Sequence, residues 1–218
     1  MTNDKRGVTS YTGSNGAAVN DLYNIVDVYT TEGAAAMKKS TNEVIVFGDT
    51  AYGGNCGFLC STLSDSNTAI DLIHTTSKAF AAFTSTGQLL CWGNSTLGGD
   101  SSSVDSEVGT GTKAIVAMAS NYGAFVALLK SGKVIAWGDQ VYGGSIPSTG
   151  IDTTANAGVA YLFASKTGFA TLSSSYDVQY WEGSASGGVV PSSYAFPVSN
   201  AHQAVSYTHL TLPTICSV

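Results

Sequence analysis

The sequence predicts an all-β protein, a β-propeller assembled from short repeats, on three observations. First, residues 124–144 (AFVALLKSGKVIAWGDQVYGG) recur upstream as residues 79–99 (AFAAFTSTGQLLCWGNSTLGG) and more loosely as residues 34–54 (AAAMKKSTNEVIVFGDTAYGG). A worn fourth copy occupies residues 168–188 (GFATLSSSYDVQYWEGSASGG). Second, an aromatic residue marks each copy, at Phe47, Trp92, Trp137 and Trp181, with spacings of 45, 45 and 44 residues. A glycine pair follows at the same spacings, at Gly53-Gly54, Gly98-Gly99, Gly143-Gly144 and Gly187-Gly188. Self-similarity at a fixed period of this length marks a repeat architecture, in which one unit buries its apolar face only against the next. Third, the first arm of each hairpin is apolar on both faces, as in residues 79–83, AFAAF. A sheet with one wet face alternates apolar and polar, whereas a sheet covered on both sides is apolar throughout. Alanine on one parity lets neighbouring sheets approach, and Phe or Leu on the other fills the wider gap, which suits sheets stacked in a ring. A parallel β-solenoid is the rival, but its rungs are shorter and carry no hairpin inside each period.

Length and composition agree with this class. The 218 residues can bury a core, and 44% of them are hydrophobic. Charged residues are only 11%, against roughly 25% in ordinary globular chains, and Gly, Ser and Thr fill the gap, as many short strands with tight turns require. The net charge of -6 and pI near 4.8 disfavour nucleic acid and anionic membrane as partners, because both call for clustered Lys and Arg. The lysines at 38, 39, 78, 113, 130, 133 and 166 are scattered. No apolar run approaches the roughly 20 residues of a membrane-spanning helix. The opening MTNDKRGVTS has no apolar signal region.

Residues 7–24 (GVTSYTGSNGAAVNDLYN) resemble the stretch that follows a glycine pair, such as residues 144–158 (GSIPSTGIDTTANAG), so residues 1–24 read as the remnant of a preceding repeat. Four units then span residues 25–69, 70–114, 115–158 and 159–204. Each opens on a short apolar strand (25–29, 70–74, 115–119, 159–163) followed by a polar loop. A hairpin comes next, and its turn holds Gly87 or Gly132 where a positive φ is needed. Asn42 fills that slot in the first unit and tolerates it. The second arm ends on the aromatic (44–47, 89–92, 134–137, 178–181), and a Gly-rich turn with a Ser/Thr/Gly connection leads onward. At least three strands per unit follow, with no helical periodicity. Residues 205–214 (VSYTHLTLPT) break the repeat and resemble the translated adaptor of a transposase-based sequencing library. Residues 205–218 are therefore read as a non-native tail, with the native chain expected to continue beyond Ala204.

The run IVAMASNYGAFVALLKSGKVIAWGDQVYGG (residues 115–144) resembles the regulator-of-chromosome-condensation repeat, in the short form of the propeller-type β-lactamase inhibitor proteins. Its matching positions are Gly132, Trp137, Gly138, Gly143 and Gly144, and one unit earlier Gly87, Trp92, Gly93, Gly98 and Gly99. The resemblance covers residues 25–204. It departs at Phe47, which replaces Trp, at Tyr176 in the turn-glycine slot, and at Glu182 after Trp181. Tryptophan-aspartate and kelch repeats fit less well, since Gly follows Trp92 and Trp137 and no Tyr/Trp pair follows Gly98-Gly99. The resemblance implies a ring of seven blades, so four blades and a partial one form an incomplete propeller. Its end faces would be exposed apolar sheet, and self-association is expected. The resemblance also implies a partner protein bound on one rim. Guanine-nucleotide exchange is known in the family, but no residue here points to it, and the acidic charge argues against chromatin.

Catalytic and metal chemistry find little support. Cys56 and Cys60 could close a small disulfide or give two metal ligands, but zinc needs about four and no second Cys/His pair accompanies them, so free thiols are the expectation. A disulfide would fit the Ser/Thr-rich, extracellular-looking composition. Cys91, beside Trp92, reads as a small core residue. Asp49, Asn94 and Asp139 recur two residues after the aromatic and read as acceptors for their own turns rather than calcium ligands. The tryptophans read as core anchors, with Tyr52 and Tyr142 the more exposed aromatics. His74 ends an apolar strand, and no nucleophile elbow, paired-carboxylate motif or phosphate-cradling loop occurs. No enzymatic activity, cofactor or metal is expected.

Recognition is expected where otherwise similar units differ. The loops at 30–32, 75–78, 120–123 and 165–167 share one rim, which makes Glu32, Thr76, Lys78, Asn121, Tyr122 and Lys166 the candidate binding residues. Tyr122 is the one aromatic among them. The chain is thus read as a non-catalytic protein-binding propeller fragment, extracellular or surface-borne. A glycan-binding propeller using positions such as Tyr142, or a structural array without a specific ligand, are the alternatives.

Overall fold

The computed structural model describes residues 23–147 and 158–183. They form four antiparallel three-stranded sheets, each with its strands in sequence order. Blade one is β1 (Ile25–Thr30), β2 (Ala34–Lys39) and β3 (Val44–Gly48); blade two is β4 (Ile70–Thr75), β5 (Ala79–Thr84) and β6 (Leu89–Gly93). Blade three is β7 (Ile115–Ser120), β8 (Ala124–Leu129) and β9 (Val134–Gly138); blade four is β10 (Val159–Ala164), β11 (Gly168–Ser173) and β12 (Val178–Glu182). The remnant up to residue 22, the last glycine pair and the tail at 205–218 lie outside the described residues.

Turn chemistry sets each hairpin. In blade three the Leu129 N–H donates to Lys133 O (2.8 Å) and the Gly132 N–H to Leu129 O (2.8 Å), a three-residue loop that needs a left-handed residue at its last position. Gly132 supplies it with φ 89°, and Gly87 with φ 87°. Asn42 and Tyr176 adopt it at φ 73° and 68° in blades one and four.

Each first strand carries a bulge at the same place. Its pairing register with the second strand slips between Ile25 and Asp27, Ile70 and Leu72, Ile115 and Ala117, and Val159 and Tyr161. The extra residue, Val26, Asp71, Val116 or Ala160, is exposed every time. A bulge of this kind bends the strand and sharpens its twist. First strands of successive blades lie beside one another, so β1, β4, β7 and β10 run nearest the common axis.

The core is not one mass but three clusters, each shared by two consecutive blades. Every residue of β5, β8 and β11 is buried, which is the two-sided burial that the apolar arms require. The contact has a repeating shape. A Phe and a Trp opposite each other on one blade (Phe80/Trp92, Phe125/Trp137, Phe169/Trp181) pair at ring-centroid distances of 4.9, 5.2 and 5.7 Å. The Phe ring seats on the first glycine of the preceding blade's pair. A Cβ on Gly53 or Gly98 would lie 2.9 or 2.5 Å from the ring atoms of Phe80 or Phe125. The Trp137 and Trp181 indole N–H groups donate to Gly98 O (3.2 Å) and Gly143 O (3.0 Å) across the same interface.

Blade four keeps this geometry despite its departures. In blades one to three an Ala on the second strand faces a Gly on the third (Ala34/Gly48, Ala79/Gly93, Ala124/Gly138). In blade four the glycine has changed sides, so that Gly168 faces Glu182. A Cβ at Gly168 would lie 2.3 Å from Trp181 O. The crossing tolerates one side chain, on either strand.

Candidate functional site at the loop rim

Three-residue loops join first to second strands in every blade (31–33, 76–78, 121–123, 165–167), on the same rim as the turns that follow the third strands. The first loop position braces the turn. Thr31 and Thr76 accept the N–H of Ala34 and Ala79 at 3.0 and 3.1 Å through Oγ1, and donate to Tyr52 O and Leu97 O, both at 2.8 Å. Asn121 does the same with two atoms, Oδ1 accepting from the Ala124 N–H (3.0 Å) and Nδ2 donating to Tyr142 O (2.8 Å). The second position links blades. The Glu32 N–H donates to Ser77 O (3.0 Å), and the Ser77 N–H donates to Tyr122 O (2.9 Å). A belt of backbone hydrogen bonds therefore joins the rim loops of blades one, two and three.

The candidate residues divide accordingly. Thr76 is buried and Asn121 half-buried, both with their polar atoms engaged by the fold. Glu32 and Lys166 are exposed, and Lys78 is half-buried with Nζ 4.8 Å from the centroid of the Tyr52 ring. Tyr122 is 40% exposed, its ring 5.1 Å from that of Tyr142. Gly33 and Gly123 make room for these aromatics, since a Cβ there would lie 2.7 and 2.5 Å from Tyr52 and Tyr142 ring carbons. The structure thus gathers Tyr52 with Lys78, and Tyr122 with Tyr142 and Leu97, on one surface. Leu97 was not among the sequence candidates; it holds the same slot as Tyr52 and Tyr142, 45 residues from each.

Asp49, Asn94 and Asp139 accept the N–H of Ala51, Leu97 and Val141 at 2.8, 3.1 and 2.9 Å, each capping the short helical turn after its blade. Among the described residues no group of three His, Cys, Asp or Glu could hold a metal ion, and no helix is long and apolar enough to cross a membrane. Burial pushes the Cys91 thiol up to about 12, so it stays protonated and packs as a core residue. Cys56 and Cys60 depart from the expected free thiols. They are joined in a disulfide with Cα atoms 5.1 Å apart, closed by the turn at Gly57–Leu59 and the helical turn Cys60–Leu63, whose Leu63 is wholly buried.

No family model matches the sequence, and no curated protein matches it. Among solved structures, human WBSCR16 is 18% identical with a TM-score of 0.51, over 76% of this chain and 50% of its own. Prp20p from Saccharomyces cerevisiae, described with its binding to Gsp1p and histones, is 13% identical with a TM-score of 0.51, over 75% and 45%. Yeast RCC1 (Prp20) with Kap60 gives 14% identity and a TM-score of 0.52, over 75% and 44%. The fold is an incomplete propeller of the RCC1 type. At these identities the likeness concerns the fold, and the chain spans half or less of the length of each structure it matches.

Proposed function

We propose that this propeller is a non-catalytic interaction module that meets a partner protein on the loop rim. The observation that carries the reading is the Tyr122/Tyr142 pair, an exposed aromatic on a backbone already fixed by the belt. Aromatic anchors held in place lose little conformational freedom on binding, and such residues dominate interface energetics. Proteins named with the Prp20p structures, Gsp1p, histones and Kap60, make protein binding a reasonable use of this architecture without naming a partner here. The disulfide supports placing the chain in an oxidising compartment, outside the cytosol.

The glycan reading is weaker. A sugar needs a free ring face, yet Tyr52 packs over Gly33 and carries Lys78, and Tyr142 packs over Gly123 and Tyr122. Quantitative affinity purification from the source organism's own secreted fraction tests the proposal. Partners recovered with the unchanged chain should be lost with Tyr122→Ala and kept with Tyr161→Ala, an exposed tyrosine on the axis side. Retention of every partner by Tyr122→Ala and Tyr142→Ala would overturn it. A glycan array that lights up with the unchanged chain and goes dark with Tyr52→Ala and Tyr142→Ala would favour the sugar instead.

A further inference from the structure

One surface turn carries a feature that its fold does not require. The turns after β3, β6 and β9 begin at Asp49, Asn94 and Asp139, and each side-chain Oδ1 accepts one backbone N–H of its turn. Asp and Asn cap such turns about equally well, so the cap gives blade two no reason to differ. Two residues on, blade two has Thr96 where blades one and three have Ala51 and Val141. Together the two changes spell Asn94-Ser95-Thr96, the only Asn-x-Ser/Thr triplet in the 218 residues. In a secreted protein that triplet is the acceptor signal for an N-linked glycan.

The acceptor atom is available. Oδ1 holds the Leu97 N–H at 3.1 Å, so the cap occupies the oxygen of the Asn94 amide and not its nitrogen. Nδ2 makes no hydrogen bond among the described residues, and the buried polar atoms without a partner are Ser77 Oγ and Trp92 Nε1, so Nδ2 reaches water. Ser95 and Thr96 are exposed. Leu97, three residues on, packs against Gly123 beside the Tyr122/Tyr142 pair, which roots a glycan at the margin of the rim surface. A second observation is independent of the triplet. The Cys56–Cys60 disulfide belongs to an oxidising compartment, and in the secretory route disulfides form in the lumen where N-glycans are attached.

We infer that Asn94 is an N-glycosylation site, a reading that rests on the oxidising compartment proposed above. The donor is a lipid-diphosphate-linked oligosaccharide. Transfer forms a bond from Nδ2 to C1 of the first sugar and breaks the C1–O bond to the diphosphate. The diphosphate leaves with the electron pair, and Nδ2 gives up one proton. The modified amide keeps its carbonyl oxygen, so the cap on the Leu97 N–H survives the reaction.

The test expresses the full chain behind a cleavable secretion signal in cultured insect cells and weighs the secreted protein by mass spectrometry. An increment of hexose and N-acetylhexosamine is expected, removed by peptide N-glycosidase F and mapped to residue 94. Asn94→Asp and Thr96→Val should each abolish it, whereas Thr96→Ser should keep it. Asn94→Asp should also melt with the unglycosylated parent made in bacterial periplasm, since Asp49 and Asp139 cap the sister turns. A secreted chain without the increment, or an increment that survives Asn94→Asp, overturns the proposal. Should the chain fail to leave the cell, translation into endoplasmic-reticulum microsomes decides the matter by gel mobility, because transfer there precedes folding. In protein from its own source, free thiols at Cys56 and Cys60 would sink the compartment reading and this site with it. An unmodified Asn94 beside an intact disulfide would sink the site alone.

Discussion

Gly98 carries two constraints at once, a φ of 99° and a Phe125 ring 2.5 Å from where a Cβ would sit. Gly57 has a similar backbone, φ 55°, with nothing within 4 Å. Alanine at Gly57 should therefore cost only the left-handed penalty, about 1 kcal/mol, whereas alanine at Gly98 adds overpacking for a total of about 3 kcal/mol. Urea denaturation of the two variants checks this difference. His74, between blades two and three, has its pKa held below the ordinary 6.5 by burial. A base whose folded pKa is depressed favours the native state only while neutral. Stability should therefore be full above pH 6.5 and fall as the unfolded chain takes up a proton that the folded chain refuses. Melting temperatures between pH 7.5 and 5 should drop for the unchanged chain and drop less for His74→Gln. The buried Trp92 indole N–H, unlike those of Trp137 and Trp181, finds no acceptor.

Among the elements, the hairpin of blade four is the one with the wrong residue in its turn. Tyr176, an exposed aromatic at φ 68°, holds a conformation that glycine takes at no steric cost. Tyr176→Gly should raise stability by about 1 kcal/mol, read as a higher urea midpoint with an unchanged slope. Most of the hairpin architecture was legible beforehand, because the signals were local. A 45-residue period, a turn glycine and a terminal aromatic locate the first and third strands of each blade to within a residue of their observed ends. What the residues could not reveal is non-local. Thr76 and Asn121 are residue types that suit any solvated turn, and only their bonds to Leu97 O and Tyr142 O, 21 residues away in the same blade, show them to be braces. The bulges were hidden because Val26 and Val116 read as ordinary members of apolar strands. The Cys56–Cys60 disulfide departs from the free thiols expected because a Cys-x3-Cys spacing suits either state.

For the whole molecule, stacking without closure leaves apolar surface. Val26, Val28, Val116 and Tyr161, all on first strands, are each more than half exposed on the axis side. Blades two, three and four each present a Phe/Trp pair to the blade before, and the two faces of a blade differ, so contact between copies would be head-to-tail and need not stop at two. The chain of 218 residues is expected to self-associate at micromolar concentration, seen as a mass by light scattering that grows with dilution reversed. A sharp monomer across that range would refute it. The hydrogen-bond belt from Glu32 through Ser77 to Tyr122 adds one more corollary. Because each link spans a loop of the same three residues, the gauge of the rim is fixed while its lettering is free. New side chains can be set there one for one, but a single inserted residue would throw every later blade out of line.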